Sequence, residues 1–224
     1  MKPGKDPLTK EVLRVTKAKA KQPKSKKALL LTDIKAMAHH VTPSFESIRD
    51  YFMLLLMTAG MLRESELVHI RTQDMWLDEI SPGCHVLFVF IEKSKTDQAR
   101  VGHSIIIGQS EDPKLDVISW FKLAVKAHPF GSGDYFFCNT KTGARLSDKT
   151  PCHIIKDWLV RIGIKDPESY GSHSCRRGGA TAAAAAGIEE RLIKRHGNWK
   201  SNSVRLYIDE STKNRLSVSL EMLK

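Results

Sequence analysis

Apolar residues recur at helical spacing over most of this chain, and run together at strand spacing only in a short central part of it. Leu8, Val12 and Val15, with Ala18 beyond them, fall on one face of residues 6–21 among mostly basic neighbours. That spacing predicts an amphipathic helix, and the Gln-Pro-Lys-Ser-Lys-Lys stretch behind it predicts an exposed linker. Thr32 is placed to cap a second helix over residues 33–40. Pro43-Ser44 restarts the chain into a strongly apolar helix that runs through Thr58 and stops at Gly60. Beyond that glycine, Leu67 and Ile70 are set toward a core, and Arg63 and Glu66 stand three apart on one side of the turn.

Residues 85–91 and 101–107 are β-branched and aromatic runs, which predicts a hairpin whose tip, 92–100, is polar and basic. Asp112-Pro113 is placed to cap a helix carrying Val117, Ile118, Trp120, Phe121 and Val125, residues 135–138 read as a short strand, and Thr150-Pro151 opens a helix through Arg161. From His173 onward the pattern tightens. Gly178-Gly179-Ala180 and the small residues after them predict a helix that admits very close packing, ended by Gly187. A further helix over residues 189–196, a Gly197-Asn198 turn and an element holding Val204, Leu206, Tyr207 and Ile208 complete this region. Leu216, Leu220 and Leu223 mark a terminal helix at about 211–223. The expected class is mainly α with a small antiparallel β-sheet (α+β), divided into a basic helix and linker over 1–27 and a larger domain over 28–224.

Composition narrows the partners. With 224 residues and 41% hydrophobic content the chain can bury a substantial core, while a net charge of +11 points to a polyanion, with nucleic acid as the leading class. Ten Lys and Arg against Asp6 and Glu11 place +8 of that charge in residues 1–27. Such a run serves as a solvated tail, as an import-like signal or as a phosphate contact, and composition leaves all three open. Cys84, Cys138, Cys152 and Cys175 are too widely spaced to imply a disulfide framework or a zinc site, which fits a reducing compartment. The longest apolar run, about 51–62, is too short to cross a bilayer, and no apolar h-region follows the basic start. A soluble intracellular protein with no membrane partner is expected.

The candidate chemistry is phosphodiester cleavage without a metal. That reaction needs an attacking oxygen, cations fixed around the non-bridging oxygens and a proton donor for the leaving oxygen. Tyr207 supplies the oxygen, Arg63 and Arg176 supply planar forks that stay charged throughout, and Lys95 can give a proton to the departing 5′ oxygen. A free tyrosine, with a pKa of about 10, is only about one part in a thousand ionised at neutral pH, so Tyr207 needs positive charge or a base nearby. Arg63, Arg176 and His173 are the groups able to provide it.

These residues resemble the catalytic domain of the tyrosine recombinase (phage integrase) family. The family's first arginine lies in a Leu-Arg-x-Ser-Glu-Leu motif after a glycine, found here from Gly60 to Leu67 around Arg63. Its hairpin lysine matches Lys95 in Ser94-Lys95-Thr96-Asp97, and its His-x-x-Arg motif matches His173 to Arg176, followed by Arg177 and Gly178. Its second His/Trp position matches Trp199 in Gly197-Asn198-Trp199-Lys200-Ser201, and its nucleophile matches Tyr207, eight residues on. The resemblance implies the integrase catalytic fold, a 3′-phosphotyrosyl intermediate on DNA, and site-specific recombination or integration with neither ATP, metal nor other cofactor. It implies double-stranded DNA as partner, with dimers or tetramers on it, and a terminal helix that docks into a neighbour or packs back on its own subunit. Glu66 is expected to orient Arg63, and Lys93, Arg177 and Lys200 to contact DNA.

Two departures are informative. Many members carry histidine where Trp199 stands, and an indole donates one hydrogen bond and packs but does no acid or base work near neutral pH, so Trp199 is expected to position. His196 has the wrong offset to replace it. The family's usual N-terminal core-binding domain is larger than residues 1–27, so a catalytic fragment or a shortened protein is expected. The Ser-Lys-Thr-Asp-Gln tip, Trp199 and the Leu-Leu-Leu-Thr region resemble recombinases of eukaryotic mobile elements of the DIRS or Crypton type, which implies a nuclear protein, against a cytoplasmic one otherwise. The alternatives are a domesticated, inactive DNA-binding descendant and a monomeric topoisomerase. The sequence specifies neither the target site nor the direction of recombination.

Overall fold

The computed structural model describes residues 26–92, 101–131, 134–208 and 222. The predicted helix at 6–21, the hairpin tip with Lys93 and Lys95, and Leu216, Leu220 and Leu223 lie outside them. Mainly helical architecture with one small antiparallel sheet is what the chain adopts.

Helix α1 spans Leu31–Ala38 and α2 spans Phe45–Ala59. The start of α1 differs from expectation, because the Asp33 carboxylate accepts the Leu30 N–H at 3.0 Å and the helix begins before the expected cap at Thr32. Ser44 caps α2, its hydroxyl accepting from the Ser47 N–H at 3.3 Å. Tyr51, Phe52, Met53, Leu54 and Leu56 of α2 are all fully buried, so from Tyr51 on this helix is apolar on every side and forms the axis of the core. Gly60 ends it, and Met61 then takes a positive φ of 49° to turn the chain into the short helix α3, Glu64–Leu67.

Three strands follow, β1 (Met75–Ser81), β2 (Cys84–Ile91) and β3 (His103–Gly108), in the order β1-β2-β3. The register sets Leu77 opposite Leu87 and Leu87 opposite Ile107. β1 has no counterpart among the predicted elements because every residue after Met75 in it is exposed, leaving no alternation to read. β3 begins at His103 rather than at Val101, since Gly102 has φ +71° and a Cβ there would lie 2.6 Å from the Phe90 ring. Helix α4, Val117–Ala127, is capped by Asp116 and not by Asp112: Asp116 Oδ2 accepts the Ser119 N–H at 3.2 Å, while Asp112 holds a turn and pairs with Lys35 at 2.7 Å. Residues 135–138 make isolated bridges, Arg71 with Tyr135 and Cys138 with Arg145, instead of a sheet strand, and bury Phe136 and Phe137.

Helix α5 (Thr150–Arg161) matches its predicted bounds, and α6 (Ser174–Ala185) and α7 (Glu190–His196) fall within theirs. In α6, a Cβ on Gly178 would stand 1.8 Å from the Leu29 carbonyl oxygen, and one on Gly179 would stand 2.1 Å from that of Thr58. Backbone therefore touches backbone at both glycines, which draws α6 against the end of α2. A 3-10 turn, Asn202–Leu206, leads to Tyr207. Beside the main core, Met61, Ala180, Ile193, Trp199 and Val204 form a second small cluster with Tyr207 packed against it. Among the described residues no helix is long and apolar enough to cross a membrane.

Candidate active site

Arg63 stands at the mouth of α3, where its backbone N–H and its side chain both reach the same carboxylate. Glu66 Oε2 accepts the Arg63 N–H at 2.8 Å and Oε1 accepts from Nη1 at 2.5 Å. The Glu66 side chain is 2% exposed against 18% for Arg63, so the buried carboxylate fixes a guanidinium whose remaining donors reach the surface. The spacing of Arg63 and Glu66 on one side of the turn thus becomes a direct ion pair.

Arg176, in the first turn of α6, is almost completely buried. Its Nη1 donates to the Met61 carbonyl, its Nη2 donates to the Gly197 carbonyl at 2.7 Å, and the Trp199 ring covers its face at 3.7 Å from the centroid. Burial, and secondarily the charge of Arg63, lower its pKa to about 10, so the cation persists at neutral pH. Nε is buried and has no hydrogen-bond partner among the described residues.

His173 precedes α6 and lies exposed at the surface, with its Nδ1 at 3.4 Å from the Tyr207 hydroxyl and the two rings edge to face at 5.7 Å. Tyr207 also meets Trp199 edge to face at 5.4 Å, and its carbonyl accepts from Thr181 Oγ1 at 3.1 Å. The Arg176 and Arg177 guanidinium carbons each lie 5.7 Å from the Tyr207 ring centroid. Lys200 is exposed in the turn beyond Trp199. The structure therefore brings together Arg63, Glu66, His173, Arg176, Trp199 and Tyr207, with Arg177 at the edge; Lys93 and Lys95 lie outside the described residues.

His196 is turned away from that group. Its Nε2 donates to the Ala59 carbonyl at 2.8 Å, which ties the end of α7 to the end of α2. Trp199 is 6% exposed, and Gly197 is what admits it: a Cβ at 197 would lie 1.9 Å from the indole. Sequence reasoning missed two participants. Asn198, with φ 52°, reaches His103 at the start of β3, and Glu64, next to Arg63, keeps a buried Oε1 without a partner among the described residues. An asparagine in a tight turn and a strand-initial histidine have no distinguishing pattern along the chain. Among the described residues no group of three or more His, Cys, Asp or Glu could hold a metal ion.

This chain is 30% identical over 168 residues to an integrase/recombinase xerD homolog of Selenomonas ruminantium, covering 73% of the chain and 48% of the relative, so it spans about half the length of that protein. Its fold is similar to that of XerA recombinase, with a TM-score of 0.65, 16% identity and coverage of 96% of this chain and 74% of that one. A XerH site-specific recombinase bound to palindromic difH substrate in a post-cleavage complex gives a TM-score of 0.65 at 15% identity, over 90% of this chain and 55% of that one. A lambda integrase tetramer bound to a Holliday junction gives 0.57 at 15% identity, over 89% and 56% respectively. The model of the phage integrase family matches residues 27–214, and the chain belongs to that family.

Proposed function

We propose that the protein is a tyrosine recombinase, a DNA-cleaving and DNA-joining enzyme in which Tyr207 attacks a phosphodiester. The observation that carries this reading is the convergence of Arg63, His173, Arg176 and Tyr207 from three separate stretches of chain, with the Tyr207 hydroxyl 3.4 Å from His173 Nδ1. In the reaction the tyrosine oxygen bonds to phosphorus, the bond from phosphorus to the 5′ oxygen breaks, and a 3′-phosphotyrosyl link and a free 5′ hydroxyl result. A second 5′ hydroxyl then reverses the step and joins a new strand. Because the bond is exchanged rather than hydrolysed, the cycle needs no external energy source.

Arg63 and Arg176 hold the non-bridging oxygens with guanidinium groups that stay charged throughout. His173 accepts the Tyr207 proton or donates to phosphate, and Lys95 protonates the leaving 5′ oxygen. Trp199 acts by position alone, holding the Arg176 plane. Lys93, Arg177 and Lys200 contact the DNA backbone, where lysine and arginine give affinity without reading sequence. The protein acts as a dimer or tetramer on double-stranded DNA, and the apolar groove of about 670 Å³ beside the site, lined by Leu31, Met61, Ile106, Ile188 and Leu192, is a surface suited to subunit contact. The work is done in the nucleus if the host is eukaryotic, as descent from a DIRS-type or Crypton-type element implies, and otherwise in the cytoplasm.

The test is a nicked suicide duplex tiled across the DNA that flanks the coding sequence. A covalent adduct that survives denaturation and disappears with Tyr207→Phe is expected. A duplex that is bound without any adduct marks the protein as an inactive DNA-binding descendant.

A further inference from the structure

We infer that Asn198 and His103 form a positioning pair that ties the loop end of the β2–β3 ladder to the turn carrying Trp199, which leads on to Tyr207. What the pair positions rests on the recombinase reading above; the tie itself rests on geometry.

The carboxamide nitrogen of Asn198 lies 3.2 Å from His103 Nδ1, joining residues 95 positions apart. Each partner stands on backbone that other contacts already fix. His103 faces Ile91 in the last pair of the β2–β3 ladder, so it stands at the end of the strands from which the connecting loop with Lys95 leaves. Directly before it, Gly102 is held at φ +71°, with no room for a Cβ between the Phe90 ring and the Ile91 carbonyl. On the other side the turn is pinned at each residue: Gly197 O accepts from Arg176, the Asn198 N–H donates to Arg195 O at 3.1 Å, and the Trp199 N–H donates to Lys194 O at 2.9 Å. A hydrogen bond between two such points costs less ordering than one between free loops, because other contacts already restrict the chain at both ends.

The plainer explanation of Asn198 is its backbone, since asparagine is one of the few residues other than glycine that tolerates a φ of 52°. That explanation accounts for the turn and leaves the direction of the side chain unexplained. A carboxamide serving only the backbone would bond locally or to water, whereas this one spans to a different element. Either amide orientation makes the link, with the amide donating to a neutral Nδ1 or its oxygen accepting from a protonated one. In the cleavage reaction the hairpin brings the lysine to the leaving oxygen and the turn brings the tyrosine to phosphorus, so their spacing sets the alignment of attack.

Asn198→Gly removes the side chain while keeping the positive φ free of strain, and His103→Val removes the ring while suiting a strand. Hydrogen exchange on the full chain without DNA reads the tie. Asn198→Gly is expected to speed exchange in peptides covering β2 and β3, and His103→Val to speed it in peptides covering 197–207. On a nicked duplex that forms the adduct, each variant is expected to slow adduct formation about tenfold, leave duplex affinity within about twofold and gain nothing from combination, while His103→Asn restores the rate. Exchange changes confined to the mutated element, losses that multiply in the double variant, or a rate loss matched by lost affinity would each overturn the pair. If the unaltered protein forms no adduct on any duplex, the recombinase reading fails, and reciprocal exchange alone still decides whether the tie exists.

Discussion

Replacing Glu64 with glutamine should make the stability of this protein less sensitive to pH. Glu64 opens α3 beside Arg63, half-buried, with Oε1 sealed from solvent and lacking a partner among the described residues. Burial, and after it the negative charge of Asp148, push its carboxyl from 4.5 up to about 7. The folded protein thus holds the neutral acid and the unfolded chain releases its proton more readily. The contribution is fully present below 4.5 and is lost as pH rises through about 7. That gap of about 2.5 pH units, at about 1.4 kcal/mol each, sets a ceiling of about 3.4 kcal/mol, and solvent screening at a half-buried side chain brings it to about 1–2 kcal/mol. The Cys175 thiol nearby stays protonated over this range, because its own burial pushes it up to about 12. Urea unfolding at pH 5.5 and 8.5 on both proteins measures the effect, and the histidines, common to both, cancel in the comparison. About one of those 2.5 pH units is already spent by pH 5.5, so between the two pH values the natural protein should lose about 0.6–1.2 kcal/mol more than Glu64→Gln. Equal losses, or a larger loss in the variant, would refute the buried neutral acid.

Two further substitutions test the packing that places the arginines. Gly178→Ala adds a methyl group that helix propensity alone would favour by up to about 1 kcal/mol, yet its Cβ would lie 1.8 Å from the Leu29 carbonyl oxygen. The expected result is a loss of about 3 kcal/mol or more in chemical denaturation, and a stabilised protein would show that α6 does not pack there. Trp199→Ala uncovers the Arg176 face and empties the small cluster around Met61 and Ile193, for an expected loss of about 3–5 kcal/mol followed by circular dichroism. Trp199→Phe, which keeps a ring over the guanidinium, should lose less than half of that, and equal losses from the two would remove the stacking from the account.

The parts of the fold that were legible in the sequence are those where side chains face one environment consistently. Helix α2 is apolar all round from Tyr51 on and α5 carries Pro151 in its first turn, so both could be placed from pattern alone. β1 could not, because it covers no core after Met75 and instead exposes Trp76, stacked on Phe88 of the neighbouring strand at 5.2 Å. Capping was misassigned twice for a related reason. Asp112 and Asp116 stand four residues apart ahead of one helix, and Thr32 and Asp33 are adjacent ahead of another, so each start offers two cap-forming side chains. Which carboxylate turns toward a helix terminus depends on what else competes for it, and Asp112 is already held by Lys35 from a distant helix.

The candidate site divides along a similar line, between residues chosen for reactive side chains and residues chosen for where their carbonyls lie. Arg63, His173, Arg176, Trp199 and Tyr207 stand out along the chain because guanidinium, imidazole, indole and phenol have chemistry that few alternatives reproduce. What holds Arg176 among them is the carbonyls of Met61 and Gly197, and what holds the turn before Tyr207 includes the carbonyl of Ala59. Any residue supplies a carbonyl, so nothing in the identity of these three positions announces the role. Their constraints appear only as conformation: Met61 at a positive φ, and Gly197 with no space for a Cβ beneath the indole. The same logic explains His196. Its ring has the chemistry of a catalytic group, but its Nε2 is engaged by a backbone oxygen on α2, so it fixes the turn and leaves the face of Arg176 to Trp199.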